Sequence, residues 1–387
     1  MSQPSYGSVL TCIVFGSILM LYLILVSKRK KFILGLGPKC IIISMMFVII
    51  RMFFPFNFAF THNIESKKYL AYFFNLLRHP FVSNIEIMDV MIYGSFVGFI
   101  LSFLLLIWRR YRFYQLIHIY PYNESSLLKN IITEICVNHK NQPNFKIIVL
   151  PIIHSPCITG LFHPIILLPE VNFTDEELKF VLSHEIEHYY HHDLWYKLIC
   201  ELIVCLYWWN PLVHWLNKQL SDTIEHSNDL AISETIAEDK QLSYIECLIK
   251  IAKNKPALSP MSALFFSQTS QNTLSKRADY ILERPRILKN KAYHLFHILI
   301  IVGFLFTSLF FAFEPSYPNP THAKGEEILG LEKESTFFVR TNTSKQYDVY
   351  YKGHKYPTIS IDNIKSSFSG YRIYNSMTEA KEHEKIN

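Results

Sequence analysis

At 387 residues, half of them hydrophobic, the chain can hold more than one domain, and its mean hydropathy of +0.15 is high for a soluble protein. The formal net charge of +6 does not come from a basic patch with interleaved aromatics, which argues against nucleic-acid binding; the basic residues cluster beside apolar runs, as at the cytoplasmic edges of a membrane protein. The seven cysteines (Cys12, Cys40, Cys136, Cys157, Cys200, Cys205 and Cys247) show no paired metal spacing, and none falls in the stretches placed outside the membrane below, so they fit reduced thiols rather than a disulfide framework.

Residues 8–26 form an apolar run followed by Lys28, Arg29, Lys30 and Lys31. A cleaved signal peptide carries its charges before the apolar segment, so a membrane anchor is expected. Residues 38–60 predict a second span with Arg51 well inside it. An intramembrane arginine is a functional candidate; snorkelling or pairing within the bundle is the favoured reading. Residues 62–83 read as a mixed polar loop, and 85–108 as a third span with Glu86 and Asp89 near its start and Arg109, Arg110 and Arg112 after it. Residues 292–313 give a fourth. The basic clusters after the first and third spans place both loops in the cytoplasm. Four spans then put both termini outside and residues 109–290 inside.

Within that inner segment, residues 124–139 are helix-like and 145–153 are an apolar, β-branched run bounded by Pro143 and Pro151. Either residues 145–150 or 165–168 could pair with an extended substrate through the backbone; ordinary core strands are the equal alternative. Thr174 then opens a helix, with Glu177 completing a capping box and Leu178, Val181, Leu182 and Ile186 at helical spacing. This helix carries His184-Glu185-x-x-His188. The two histidines lie one turn apart on one face, so both imidazoles can reach one metal, and Glu185 projects beside it as a proton acceptor for a water. His191 and His192 sit a further turn along, too far up the axis to join at about 1.5 Å per residue.

Zinc takes a third protein ligand and keeps an open position in a catalytic site. An apolar hairpin over residues 194–215, broken at Asn210-Pro211 and crowded at its ends with Trp195, Tyr196, Tyr207, Trp208, Trp209 and Trp215, leads to a helix over 212–237. Its arms are too short to cross a bilayer, so it is expected either to dip into the inner leaflet or to form a buried core hairpin. The following helix carries Glu225 with Asp229 one turn behind, a ligand with a supporting carboxylate that bonds a metal histidine; Asp222 and His226 are competing ligands.

The motifs resemble the M56 metallopeptidases, the family of the β-lactam-sensing transducers BlaR and MecR. The resemblance rests on His184-Glu185-x-x-His188 with Asp193-Leu194, on Trp209-Asn210-Pro211-Leu212, on Glu225-x-x-x-Asp229, and on Ser155-Pro156-x-x-x-Gly160-x-x-x-Pro164-x-Ile166-x-Leu168-Pro169. The last pattern separates the chain from membrane zincins of the HtpX type. By resemblance His184, His188 and Glu225 bind one Zn2+ per chain, Glu185 is the catalytic base and Asp229 supports the ligands. The family has cysteine where this chain has Asn228, a departure expected to touch no ligand. The resemblance further implies a bacterial cytoplasmic-membrane protein that cuts a cytoplasmic protein, with a winged-helix repressor as the type of partner, and that cuts itself. The serine-rich stretch 256–273, through Lys276-Arg277, is where such a cut is expected. Residues 314–387 are too short for a penicillin-binding domain and contain no Ser-x-x-Lys, so β-lactam acylation is not expected. They could be a small sensor, a partner-binding module or a weakly folded tail.

The expectation is thus a mainly α membrane protein: three N-terminal spans in residues 1–108, a cytoplasmic zincin-like α+β metallopeptidase domain in 109–290, a fourth span in 291–313, and an extracytoplasmic tail in 314–387. A constitutive quality-control protease and a zinc-holding scaffold use the same site. The intact Glu185 argues against the scaffold, since a structural site needs no base.

Overall fold

The computed structural model describes residues 6–56, 58, 60–66, 69–77, 80–82, 85–137, 139, 142–253, 271–283, 291–315, 336–341, 346–351, 354–360 and 371–383. These fall into two compact units, Met1–Pro315 and Ser316–Asn387. The chain is mainly helical, with a mixed α+β region in the first unit.

Helix α1 (Tyr6–Lys28) is apolar around its whole circumference: Leu19, Met20, Leu23 and Ile24 are buried among other helices, and Val14, Ile18, Leu21 and Leu25 are exposed. Helices α2 (Lys30–Leu36) and α3 (Pro38–Phe53) follow, bent by 94°. Gly37 makes the bend at φ +81°, a conformation L side chains resist, and Pro38 is pre-set for the first turn of α3. The continuous span expected over 38–60 is therefore corrected: α3 stops at Phe53. There the Arg51 guanidinium donates to the Phe54 carbonyl and, at 2.8 Å, to that of Ser308, so it pairs within the bundle. All seven cysteines are free.

The polar loop expected over 62–83 is also corrected. Its described residues contain strand β1 (His62–Ser66), helix α4 (Tyr69–Leu77) and a short hairpin of β2 (Pro80–Val82) and β3 (Ile85–Glu86). Strand β1 pairs in parallel with Phe311–Pro315, a partner too distant in sequence for local pattern to reveal. Helix α5 (Ile87–Ile117) begins at a capping box of Glu86 and Asp89 and runs through Arg109 and Arg112, beyond the expected end of the third span. Its 31 residues extend about 46 Å, longer than the about 30 Å of a bilayer's hydrocarbon layer.

Helix α6 (Ser126–Cys136) precedes strands β4 (Lys146–Val149), β5 (Cys157–Thr159) and β6 (Ile165–Leu168), ordered β4-β6-β5 with β4 parallel and β5 antiparallel to the centre. Helix α7 (Asp175–Tyr190) lies against β5. Helices α8 (Asp193–Leu206) and α9 (Pro211–Thr235) form the hairpin, followed by α10 (Gln241–Lys253), α11 (Gln271–Glu283), α12 (Lys291–Phe310) and β7 (Phe311–Pro315).

The hairpin is embedded among the apolar helices. Ile203, Val213, Leu216 and Leu220 share one core with Leu23 of α1 and Ile49 of α3, and the Tyr207 hydroxyl donates to the Met52 carbonyl at 2.9 Å. Trp208, Trp209 and Trp215 stay about half exposed at its rim. Among the described residues, α1, α5 and α12 are each long and apolar enough to cross a membrane, and the bent α2–α3 pair would make a fourth span.

In the second unit, β8 (Thr336–Arg340), β9 (Gln346–Tyr351), β10 (His354–Ser360) and β11 (Arg372–Tyr374) form a sheet ordered β10-β9-β8-β11, followed by α13 (Met377–His383). Alternation along β8 sends Phe338 to one face, with Val349 and Tyr371, and Phe337 and Val339 to the other, with Ala380 of α13. A weakly folded tail is thereby corrected to a two-faced sheet with its own core.

Candidate metal centre

Helix α7 starts where the sequence signals it. Thr174 accepts from the Glu177 amide at 3.2 Å and Glu177 returns the bond to the Thr174 amide at 2.8 Å, satisfying two of the orphaned donors of the first turn. Three turns on, His184, Glu185 and His188 are all buried. The chain reverses at His192, whose left-handed φ of +61° brings Asp193 back under the helix. Asn210 caps α9 through the Leu212 amide, and Glu225 arrives opposite the two imidazoles.

One ligand atom each from His184, His188 and Glu225 lie within 4.8 Å of one another, close enough to hold a metal ion. The Nε2 atoms face the carboxylate: His184 Nε2 is 3.2 Å from Glu225 Oε2, and His188 Nε2 is 3.6 Å from Oε1. Both Nδ1 atoms are engaged behind. His184 Nδ1 meets the Tyr244 hydroxyl at 3.1 Å, and His188 Nδ1 meets Asp193 Oδ2 at 2.8 Å. Acceptors at Nδ1 fix the tautomer that leaves Nε2 unprotonated and directed inward. Two imidazole nitrogens and one carboxylate are a donor set that suits zinc.

Burial opposes ionisation of Glu225, yet His188, His184, Lys197 and Arg277 together hold its carboxyl well below the usual range. Asp229 is likewise buried and held low by Arg277. The carboxylates of the site are therefore held ionised by the cations and imidazoles around them.

Residues 76–281, more than half of the chain, match the family model described as BlaR1 peptidase M56. The chain belongs to the M56 peptidase family. Curated relatives include Regulatory protein BlaR1 of Bacillus licheniformis, 28% identical over 205 residues covering 52% of this chain and 31% of that protein. Regulatory protein BlaR1 of Staphylococcus aureus is 26% identical over 180 residues, 46% of this chain and 31% of that one. The methicillin resistance mecR1 protein of Staphylococcus epidermidis is 20% identical over 210 residues, 51% and 36% of the two chains. The matched region spans about a third of the length of these relatives.

Several details of this M56 site were not legible beforehand. Asp229 reaches His184 mainly through Tyr244, whose hydroxyl donates to Asp229 Oδ1 at 2.8 Å; the direct distance from Nδ1 to Oδ1 is 3.5 Å. Arg277 of α11 then clamps both Asp229 oxygens. The expectation that Asn228 touches no ligand residue is corrected: its Nδ2 lies 2.7 Å from His188 Nδ1 and 2.6 Å from Asp193 Oδ2, and it is fully buried. Since His188 Nδ1 carries its proton toward Asp193, Asn228 acts by donating to the same carboxylate, while its Oδ1 accepts from His191 at 2.5 Å. Asp193-Leu194 was the one signal in sequence for Asp193; nothing there pointed to Tyr244 or Arg277.

Among the described residues the rival ligands Asp222 and His226 do not join that cluster. His191 bonds Asn228, and the His226 ring lies tilted at 50° against Tyr280, centroids 4.3 Å apart, with its pKa brought to about 4 by burial. Strand β6 is the sheet centre with both edges taken, so residues 165–168 cannot receive a substrate strand. Lys276 and Arg277 lie within α11, with Arg277 tied to Asp229; residues 254–270 fall outside the described residues.

Proposed function

We propose that this M56 chain is a multi-pass zinc endopeptidase that transduces a signal by cutting a cytoplasmic regulatory protein, with a winged-helix repressor as the substrate type, and by cutting itself. The observation that carries the reading is the His184–His188–Glu225 triad, its two histidines buried, with Glu185 one residue from the first histidine. The ligands are His184, His188 and Glu225, supported by Asp229. When bound, zinc supplies Lewis acidity, polarising the scissile carbonyl and easing deprotonation of water near neutral pH.

Glu185 is the general base and then the general acid. It takes a proton from the attacking water as the water oxygen bonds the carbonyl carbon. It returns that proton to the amide nitrogen as the C–N bond breaks. Strand β5 supports a binding mode for the substrate backbone. It is the sheet edge lying against α7, whereas the outer edge of β4 already receives the Asn123 amide at the Ile147 carbonyl. A substrate strand adding to β5 would pass beside Glu185.

The orientation follows from charge. Lys28, Arg29, Lys30 and Lys31 follow α1, and Arg109, Arg110 and Arg112 end the apolar part of α5. A cytoplasmic location of both clusters puts the zinc site in the cytoplasm and residues 314–387 outside.

The test uses full-length wild type and Glu185→Ala in detergent. One zinc per chain in both, with cleavage of a candidate repressor or of the chain itself only in wild type, is expected. Equal cleavage by both proteins, or no zinc in wild type, would sink the reading.

A further inference from the structure

Attack on a peptide bond moves an electron pair onto the carbonyl oxygen, and enzymes lower that barrier with a fixed positive group beside the developing charge. Two cations approach Glu225. Arg277 Nη1 is 3.9 Å from Oε2, but its Nε and Nη2 are committed to Asp229 at 2.6 and 2.7 Å. Lys197 is placed differently. Its Nζ is 3.7 Å from Glu225 Oε1, an ion pair too long for a hydrogen bond, and the side chain is one-third exposed.

Lys197 sits one turn after Asp193 on α8, so the turn that orients His188 also aims this ammonium at the triad. The Cys157 thiol of β5 is pushed up by burial and by the charge of Glu185, and drawn down by Lys197. Lys197 therefore stands beside the metal-facing carboxylate of Glu225 with part of its side chain in solvent.

We propose that Lys197 is a further catalytic residue, whose ammonium binds the carbonyl oxygen of the scissile peptide as negative charge gathers on it. The inference rests on the zinc-peptidase reading above. In the step, the water oxygen bonds the carbonyl carbon, the carbonyl π pair moves to oxygen beside Lys197, and the water proton passes to Glu185. Collapse restores the carbonyl, breaks the C–N bond and delivers that proton to the amine. A purely structural Lys197 would instead only neutralise Glu225, and its loss would change zinc retention more than turnover.

The experiment compares full-length wild type, Lys197→Met, Lys197→Arg and Glu185→Ala. It measures zinc content, cleavage of fluorescein-labelled β-casein, and affinity for a phosphinic peptide whose anionic tetrahedral centre mimics the charged oxygen. Lys197→Met should keep one zinc per chain and an unchanged KM, lose about 10²–10³-fold in kcat, and bind the phosphinic peptide about 100-fold more weakly. Lys197→Arg should recover part of both losses. Wild-type kcat and phosphinic affinity in Lys197→Met, or loss of its zinc, would overturn the proposal. Should Glu185→Ala cleave casein as fast as wild type, the peptidase reading fails instead; the phosphinic affinities still report on Lys197.

Discussion

Arg277 and Asp229, 48 residues apart in the chain, meet through two hydrogen bonds of 2.6 and 2.7 Å around a carboxylate with no solvent exposure. The fork of Arg277 matches both oxygens, so Asp229 can stay ionised behind His184 although burial opposes it. Arg277 thereby ties helix α11 to the residues behind the metal centre.

Removing one partner of a buried ion pair leaves a charge without compensation. Arg277→Met should destabilise the first unit by about 3–5 kcal/mol and weaken zinc binding by about 10–100-fold. Arg277→Lys keeps the charge but not the fork and should fall between. Thermal unfolding in detergent and zinc titration against a chelating dye read both effects. Wild-type stability in Arg277→Met would show that Asp229 needs no such partner.

Asn228 gives a second test. It donates to Asp193 and accepts from His191, so Asn228→Ala should let Asp193 and His188 drift and raise the zinc dissociation constant by about 10–100-fold. Asn228→Asp sets a second carboxylate against Asp193 and should be worse than alanine. An unchanged zinc constant in the alanine variant would mean that Asp193 holds His188 unaided.

The start of α7 has its own energetic signature. Thr174→Ala should cost about 1 kcal/mol. Glu177 is held below its ordinary pKa first by Lys250, then by the Thr174 amide. A folded-state pKa below the unfolded value, about 4.3, means this contribution is present above that value and lost as pH falls through the folded pKa. A melting series from neutral to acid pH should therefore fall less steeply at its acid end in Glu177→Gln than in wild type. Parallel curves would remove Glu177 from the account.

Glycines 94 and 98 of α5 make a matched pair. A Cβ on Gly98 would run into the Trp208 ring, while one on Gly94 meets nothing within 4 Å. Gly98→Ala should separate α5 from the hairpin and lower the melting temperature in detergent, whereas Gly94→Ala should leave it unchanged. Equal effects would mean that Trp208 does not hold α5.

Sequence by itself determined whatever is local or repeats along one element. The apolar runs of α1, α5 and α12, the capping box of α7, and His184 and His188 one turn apart all follow from helical period and from the chemistry of each side chain. Glu225 was legible as one of three candidates on its helix, and resemblance chose among them. Only the tertiary structure decided the bend at Gly37, the pairing of β1 with β7, the central place of β6 and the second sheet core. It alone brought Tyr244, Arg277, Asn228 and Lys197 to the triad. Those residues come from three further helices and from the unread face of a known one, and neither spacing nor periodicity records which distant side chains a fold packs together. The physical reason is that a ligand pair on one helix is fixed by 3.6 residues per turn, whereas its supporting hydrogen bonds depend on how helices pack.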